Sequence, residues 1–142
     1  ITFRGIPDKD GDYKIFTSIL DNPDCPKNVS LINYTNDPKE MINIFVKADY
    51  VITMRYHAIV YGYIVNKPML ILNYHPKCES FAEEIQIRGD SIISVDDYVN
   101  TSAYTQIQDL IKNSWNYYPK KNIHSFLKTM PETLPKILRP VN

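Results

Sequence analysis

Arg55-Tyr56-His57 is the segment of this 142-residue chain whose residue types and spacing best suit anion capture and proton transfer. It follows the β-prone apolar run 50–54 and leads into the apolar run 58–65. An arginine fork and the open amides of a helix N-terminus both favour a phosphate or a carboxylate. A histidine can give or take a proton near neutral pH. Residues two apart lie about 200° apart round a helix axis but on the same side of an extended strand. Arg55 and His57 therefore converge only if the strand continues through them. The plainer alternative pairs Arg55 with Asp49 and makes His57 a half-buried residue with its hydrogen bonds satisfied.

A second candidate lies in the loop Tyr74-His75-Pro76-Lys77, which follows the next apolar run, 69–72. Lys77 there can reach the same anion, or it can be an ordinary solvated lysine. His75 and Cys78 lack the two further ligands that a structural metal needs, so metal binding is not expected. His124 sits in a basic tail and reads as a surface residue. The eleven tyrosines read as packing residues before any sugar-stacking role.

Alternating elements must position these groups. Residues 1–4 suit a short strand, 13–20 an amphipathic helix and 29–32 a strand after the break at Pro23 and Pro26. Asn36 or Asp37 caps a helix with Pro38 in its first turn and Met41, Ile42, Phe45 and Val46 on one face, ending near Ala48. The run 50–54 predicts a strand covered on both faces at the sheet centre. Residues 58–65 predict a buried helix stopped by Pro68, and 69–72 the next strand. Phe81 and Ile85 mark a short amphipathic helix, 91–95 a last strand and 103–115 a further helix. The tail 119–142 is expected to be helical only in part.

Strand–helix alternation over residues 1–142 predicts a single α/β domain, a Rossmann-like parallel sheet of about five strands with helices on both faces. Ligands of such sheets bind beyond the carboxyl ends of the strands, just after Arg4, Met54 and Leu72.

Composition narrows the function classes. Sixteen Lys plus Arg balance sixteen Asp plus Glu, so the electrostatic footprint of a nucleic-acid binder is missing. No apolar run is long enough to span a membrane. Cys25 and Cys78 are too few and too far apart for a disulfide framework and are expected to be free, half-buried or buried thiols. With no secretory pattern at the N-terminus, a cytoplasmic location is expected. The opening Ile1, in place of Met, suggests a piece of a longer protein.

The stretch Ala48-Asp49-Tyr50-Val51-Ile52-Thr53-Met54-Arg55-Tyr56-His57-Ala58, with Asn66-Lys67-Pro68, Asn73-Tyr74-His75-Pro76-Lys77 and Phe81-Ala82-Glu83-Glu84, resembles the C-terminal half of polysaccharide pyruvyl transferases. The shared pattern is an apolar strand ending in Arg-x-His-Ala, a helix, a second strand and a Tyr-Asp-x-Lys loop. Residues 1–4 resemble the family's strand ending in Arg. His75 stands where the family usually has Asp, and Tyr56 where Leu is usual.

The resemblance implies the C-terminal, donor-side domain of a two-domain enzyme with the glycosyltransferase B-type architecture. The N-terminal domain of the same protein would be its partner. The implied activity moves a pyruvyl group from phosphoenolpyruvate to a sugar of a cell-surface polysaccharide or glycan, forming a cyclic ketal without metal or other cofactor. Arg55 would hold an anionic group, His57 would serve as catalytic acid or base, and Lys77 and Arg4 would add positive charge near the phosphate. The 142-residue chain alone is expected to be inactive, because one wall of the cleft would be missing. Two further readings stay open: a glycosyltransferase donor domain that binds a nucleotide sugar, and a non-catalytic α/β binding module.

Overall fold

The computed structural model describes residues 12–94, 97 and 102–129. Three strands form a parallel sheet in the order β1-β2-β3: β1 is Val51–Thr53, β2 Met69–Asn73 and β3 Ile92–Ser94. Val51 pairs with Met69 and Thr53 with Ile71, while Ile71 pairs with Ile92 and Asn73 with Ser94. Helices α1 (Asp12–Leu20) and α2 (Pro38–Val46) precede the sheet. Helices α3 (Tyr56–Ile64) and α4 (Pro76–Glu84) follow β1 and β2, and α5 (Ser102–Lys112) and α6 (Ile123–Thr129) follow β3.

Local chemistry accounts for several helix ends. The Asp37 carboxylate accepts the Lys39 N–H at 2.9 Å, Pro38 needs no donor in the first turn, and Glu40 suits the positive end of α2. After α3, Asn66 takes a left-handed conformation at φ 51° and the Lys67 N–H returns to the Gly62 carbonyl at 2.9 Å. That is a Schellman stop, with Asn a tolerated substitute for Gly. Gln86 closes α4 in the same way, at φ 57° with the Ile87 N–H on the Ala82 carbonyl at 3.0 Å. Gly62 also leaves room for the Met69 side chain of β2, which a Cβ would strike.

Two apolar clusters lie on the two sides of β2, as the alternation of its side chains requires. Met69 and Ile71 pack with Met41, Phe45, Ile59, Phe81 and Phe126 from α2, α3, α4 and α6. Leu70 packs on the other side with Ile93, Leu110 and Tyr117. Met69, Leu70 and Ile71 are all fully buried, so truncating any of them to Ala costs about 2–5 kcal/mol.

Two expectations are corrected. The middle strand among the described residues is β2, not the 50–54 strand. That segment is covered on one face: Val51 and Thr53 are buried, but Tyr50, Ile52 and Met54 remain 39%, 46% and 42% exposed. Both runs are β-prone and free of charge, and side-chain packing separates a middle strand from one with an open face. Residues 29–32 form no strand, and Val29 and Ile32 stay exposed; Asn33 alone makes an isolated bridge. Three of the five expected strands are therefore present among the described residues, and the 1–4 strand lies outside them. In the tail, α6 is helical and 130–142 lies outside the described residues. No helix among the described residues is long and apolar enough to cross a membrane.

Candidate functional site

Because β1 and β2 run parallel, the turns that leave them emerge at the same edge of the sheet. The first turn carries Arg55. Buried Thr53, the last residue of β1, accepts the Arg55 N–H on its hydroxyl at 3.0 Å, bending the chain out of the strand. Arg55 is the N-cap residue of α3, extended at φ −103° and ψ 128°, and its carbonyl accepts the Ala58 and Ile59 N–H groups that start the helix.

The Arg55 guanidinium is held from two sides. Nη2 donates to the Asp12 carboxylate at the start of α1, and Nη1 donates to the Tyr74 hydroxyl at 3.3 Å. Burial opposes the charge, but the bonds to Asp12 and Tyr74 outweigh it and raise the guanidinium above its ordinary pKa. The carboxylate partner of Arg55 is thus Asp12, which corrects the alternative that paired it with Asp49.

The second turn carries Lys77. His75 is the N-cap of α4, and its Nδ1 accepts the Lys77 N–H at 3.1 Å, a role that an Asp at this position would also fill. The His75 N–H is in turn donated to Asn73 Oδ1 at 3.3 Å. Lys77 Nζ sits 4.1 Å from the centroid of the Tyr56 ring. Buried Cys78 places its thiol 3.8 Å from the Met54 carbonyl, tying α4 to the end of β1. Burial pushes that thiol up, against the opposing pull of Lys77 and Arg55. A protonated, enclosed thiol suits packing and not nucleophilic attack.

Arg55 and Lys77 are therefore brought to one edge, each seated against an aromatic ring from the other turn. His57 is not brought into the arrangement that the spacing required. The strand stops at Thr53, and His57 lies exposed in the first turn of α3, its ring 5.8 Å from that of Tyr56 in an edge-on contact. A local turn explains the difference, because the Thr53 hydroxyl accepts the Arg55 N–H and the chain bends at Met54 before the strand can run on. Arg4 lies outside the described residues. Among those residues no three His, Cys, Asp or Glu side chains group as a metal would require.

Two contributors were missed in the sequence. Thr53 carried a local signal, a hydroxyl two residues before the arginine at a strand end. Asp12 carried none, since its contact with Arg55 spans 43 positions. A cavity of about 600 Å3 opens beside the pair, between Ile15 and Phe16 of α1 and Ile52 and Leu72 of the sheet, with Met54 just past β1.

No curated protein and no solved structure matches the chain. The family model for polysaccharide pyruvyl transferase matches residues 3–76, a span that takes in Arg4, Arg55 and His57 and stops one residue before Lys77. On that match, which covers just over half its length, the chain belongs to the polysaccharide pyruvyl transferase family.

Proposed function

We propose that the chain supplies the donor-binding surface of an enzyme that transfers a pyruvyl group from phosphoenolpyruvate to a sugar. The observation that best supports this reading is the pair of cations, Arg55 and Lys77, carried by successive strand–helix turns at one sheet edge. Phosphoenolpyruvate presents a carboxylate and a phosphate, and two cations at one sheet edge suit a ligand with two anionic groups.

In this reading the methylene carbon of the enol takes a proton and leaves an oxocarbenium-like centre. One sugar hydroxyl adds to that electrophilic centre, the carbon bearing the carboxylate and the phosphate oxygen; the C–O bond to phosphate then breaks with its electron pair, and a second hydroxyl closes the ketal on the same carbon. Of the two hydroxyl protons released, one replaces the proton given to the methylene carbon and the other leaves with phosphate. Arg55 clamps an anionic group in two-point fashion, Lys77 and Arg4 add positive charge at the phosphate, and His57 moves a proton. The exposed seat of His57 leaves its imidazole accessible to a substrate.

The reading includes an N-terminal domain of the same protein, completing a glycosyltransferase B-type cleft and holding a polysaccharide acceptor. It also includes a cytoplasmic location, which suits the free thiols of Cys25 and Cys78. The test is thermal unfolding in the presence of phosphoenolpyruvate, inorganic phosphate or a nucleotide sugar. A ligand at one hundred times its Kd stabilises by about 2.7 kcal/mol. Phosphoenolpyruvate is expected to raise the melting temperature most. A rise with the nucleotide sugar alone would instead indicate a glycosyltransferase donor domain, and no rise with any of the three a non-catalytic module.

A further inference from the structure

We propose that Asp12 is a competitor of the anionic donor for Arg55, so that donor binding unlatches α1 from the edge of the sheet. The proposal rests on the donor reading above and adds a residue and a motion to it. Asp12 occupies Nη2 of the guanidinium while the Tyr74 hydroxyl occupies Nη1. A carboxylate or phosphate that takes the two-point contact must displace Asp12 from that fork or bind beside its negative charge. Both partners are largely shielded from water, with side chains 26% and 13% exposed, so solvent screens this competition only in part.

The helix that carries Asp12 is shallowly seated among the described residues. None of the nine residues of α1 is buried, and Ile15 and Ile19 are 61% and 45% exposed. The 600 Å3 cavity lies between α1 and the exposed face of β1, lined by Ile15 and Phe16 on one side and Ile52 on the other. Elements with few buried apolar contacts open at the lowest free-energy cost. The Asp12–Arg55 pair thus fastens the start of a loosely seated helix to the residue proposed to take the donor. A ligand that favours the unlatched state shifts the population by its difference in affinity for the two states.

Calorimetric titration of phosphoenolpyruvate and of inorganic phosphate into the wild-type protein and into Asp12→Asn tests the competition. The neutral amide is expected to tighten phosphoenolpyruvate binding by about tenfold, because one unit of opposing charge leaves a partly screened site. Hydrogen exchange of the α1 amides in the wild-type protein, with and without saturating phosphoenolpyruvate, tests the motion and needs no variant. Faster exchange in α1 on binding is expected. Equal or weaker binding by Asp12→Asn, or unchanged or slower exchange in α1, would overturn the latch while leaving the donor reading intact. Absence of binding by both proteins would overturn the two together.

Discussion

Lys77 Nζ stands 4.1 Å from the centroid of the Tyr56 ring, joining the helix after β2 to the helix after β1. Tyr56 also meets Phe81 edge-on at 5.3 Å, so its ring both packs the core margin and seats a cation. The family's usual Leu at this position could do only the first. A double-mutant cycle of Tyr56→Leu and Lys77→Met is expected to show a coupling of about 0.5–1 kcal/mol in urea unfolding. Additive losses would remove the cation–π contact from the stability of this edge.

The departure at His75 has a local answer in the cap of α4. Nδ1 must be unprotonated to accept the Lys77 N–H, whereas a carboxylate accepts the same bond and adds favourable charge at the helix N-terminus. His75→Asp is expected to raise stability by about 0.5–1 kcal/mol, and His75→Ala to lower it by about 1 kcal/mol. Denaturant midpoints with an unchanged m-value measure both. A less stable His75→Asp protein would show that the imidazole does something there besides capping.

In the second apolar cluster, Tyr117 is almost fully buried and donates its hydroxyl to Asp109 Oδ2 at 2.7 Å. Burial, aided by that carboxylate, pushes the phenol up to about 12. A folded pKa raised above the unfolded value of about 10 gives stability that is complete below pH 10 and lost as pH climbs through the folded value. Tyr117→Phe is expected to be less stable at pH 7 by about 1 kcal/mol through the lost hydrogen bond. The gap between the two proteins should close between pH 10 and pH 12. Equilibrium unfolding across that range checks it, and a gap independent of pH would contradict the coupling of Tyr117 to Asp109.

What was legible in the sequence, and what was not, follows from the range of the forces involved. The start of α2 could be read because its cap, Asp37, lies beside Pro38. The stop of α3 at Asn66 to Pro68 was equally local. The carboxyl-edge placement of Arg55 and Lys77 followed from strand–helix alternation alone. The strand expected over 29–32 failed because β-branched residues favour a strand only where a partner strand and a covering layer exist, and Val29 and Ile32 have little cover. Asp12 was invisible because an ion pair across 43 positions leaves no spacing to read. The convergence of Arg55 and His57 depended on where β1 ends, which one hydroxyl on Thr53 decides.

The proposed roles of Arg55 and His57 separate by how their variants fail. Arg55 is anchored by Asp12 and Tyr74 with its fork toward the sheet edge, whereas His57 is exposed in the first turn of α3. If Arg55 clamps the donor, Arg55→Lys is expected to weaken donor binding although charge is kept, because an ammonium cannot reproduce a planar two-point contact. If His57 moves the proton, His57→Gln is expected to leave donor affinity nearly intact and to cut turnover by about 10²- to 10⁴-fold. The exposure of His57 sharpens the comparison, since a surface substitution away from packed contacts changes stability by about 0.5 kcal/mol or less. A fall in turnover without a fall in melting temperature would then be chemical in origin. Steady-state kinetics of the proposed enzyme, read beside melting curves, decides the matter. Unchanged turnover per folded His57→Gln molecule would remove His57 from the mechanism, and undiminished donor affinity in Arg55→Lys would remove the two-point clamp.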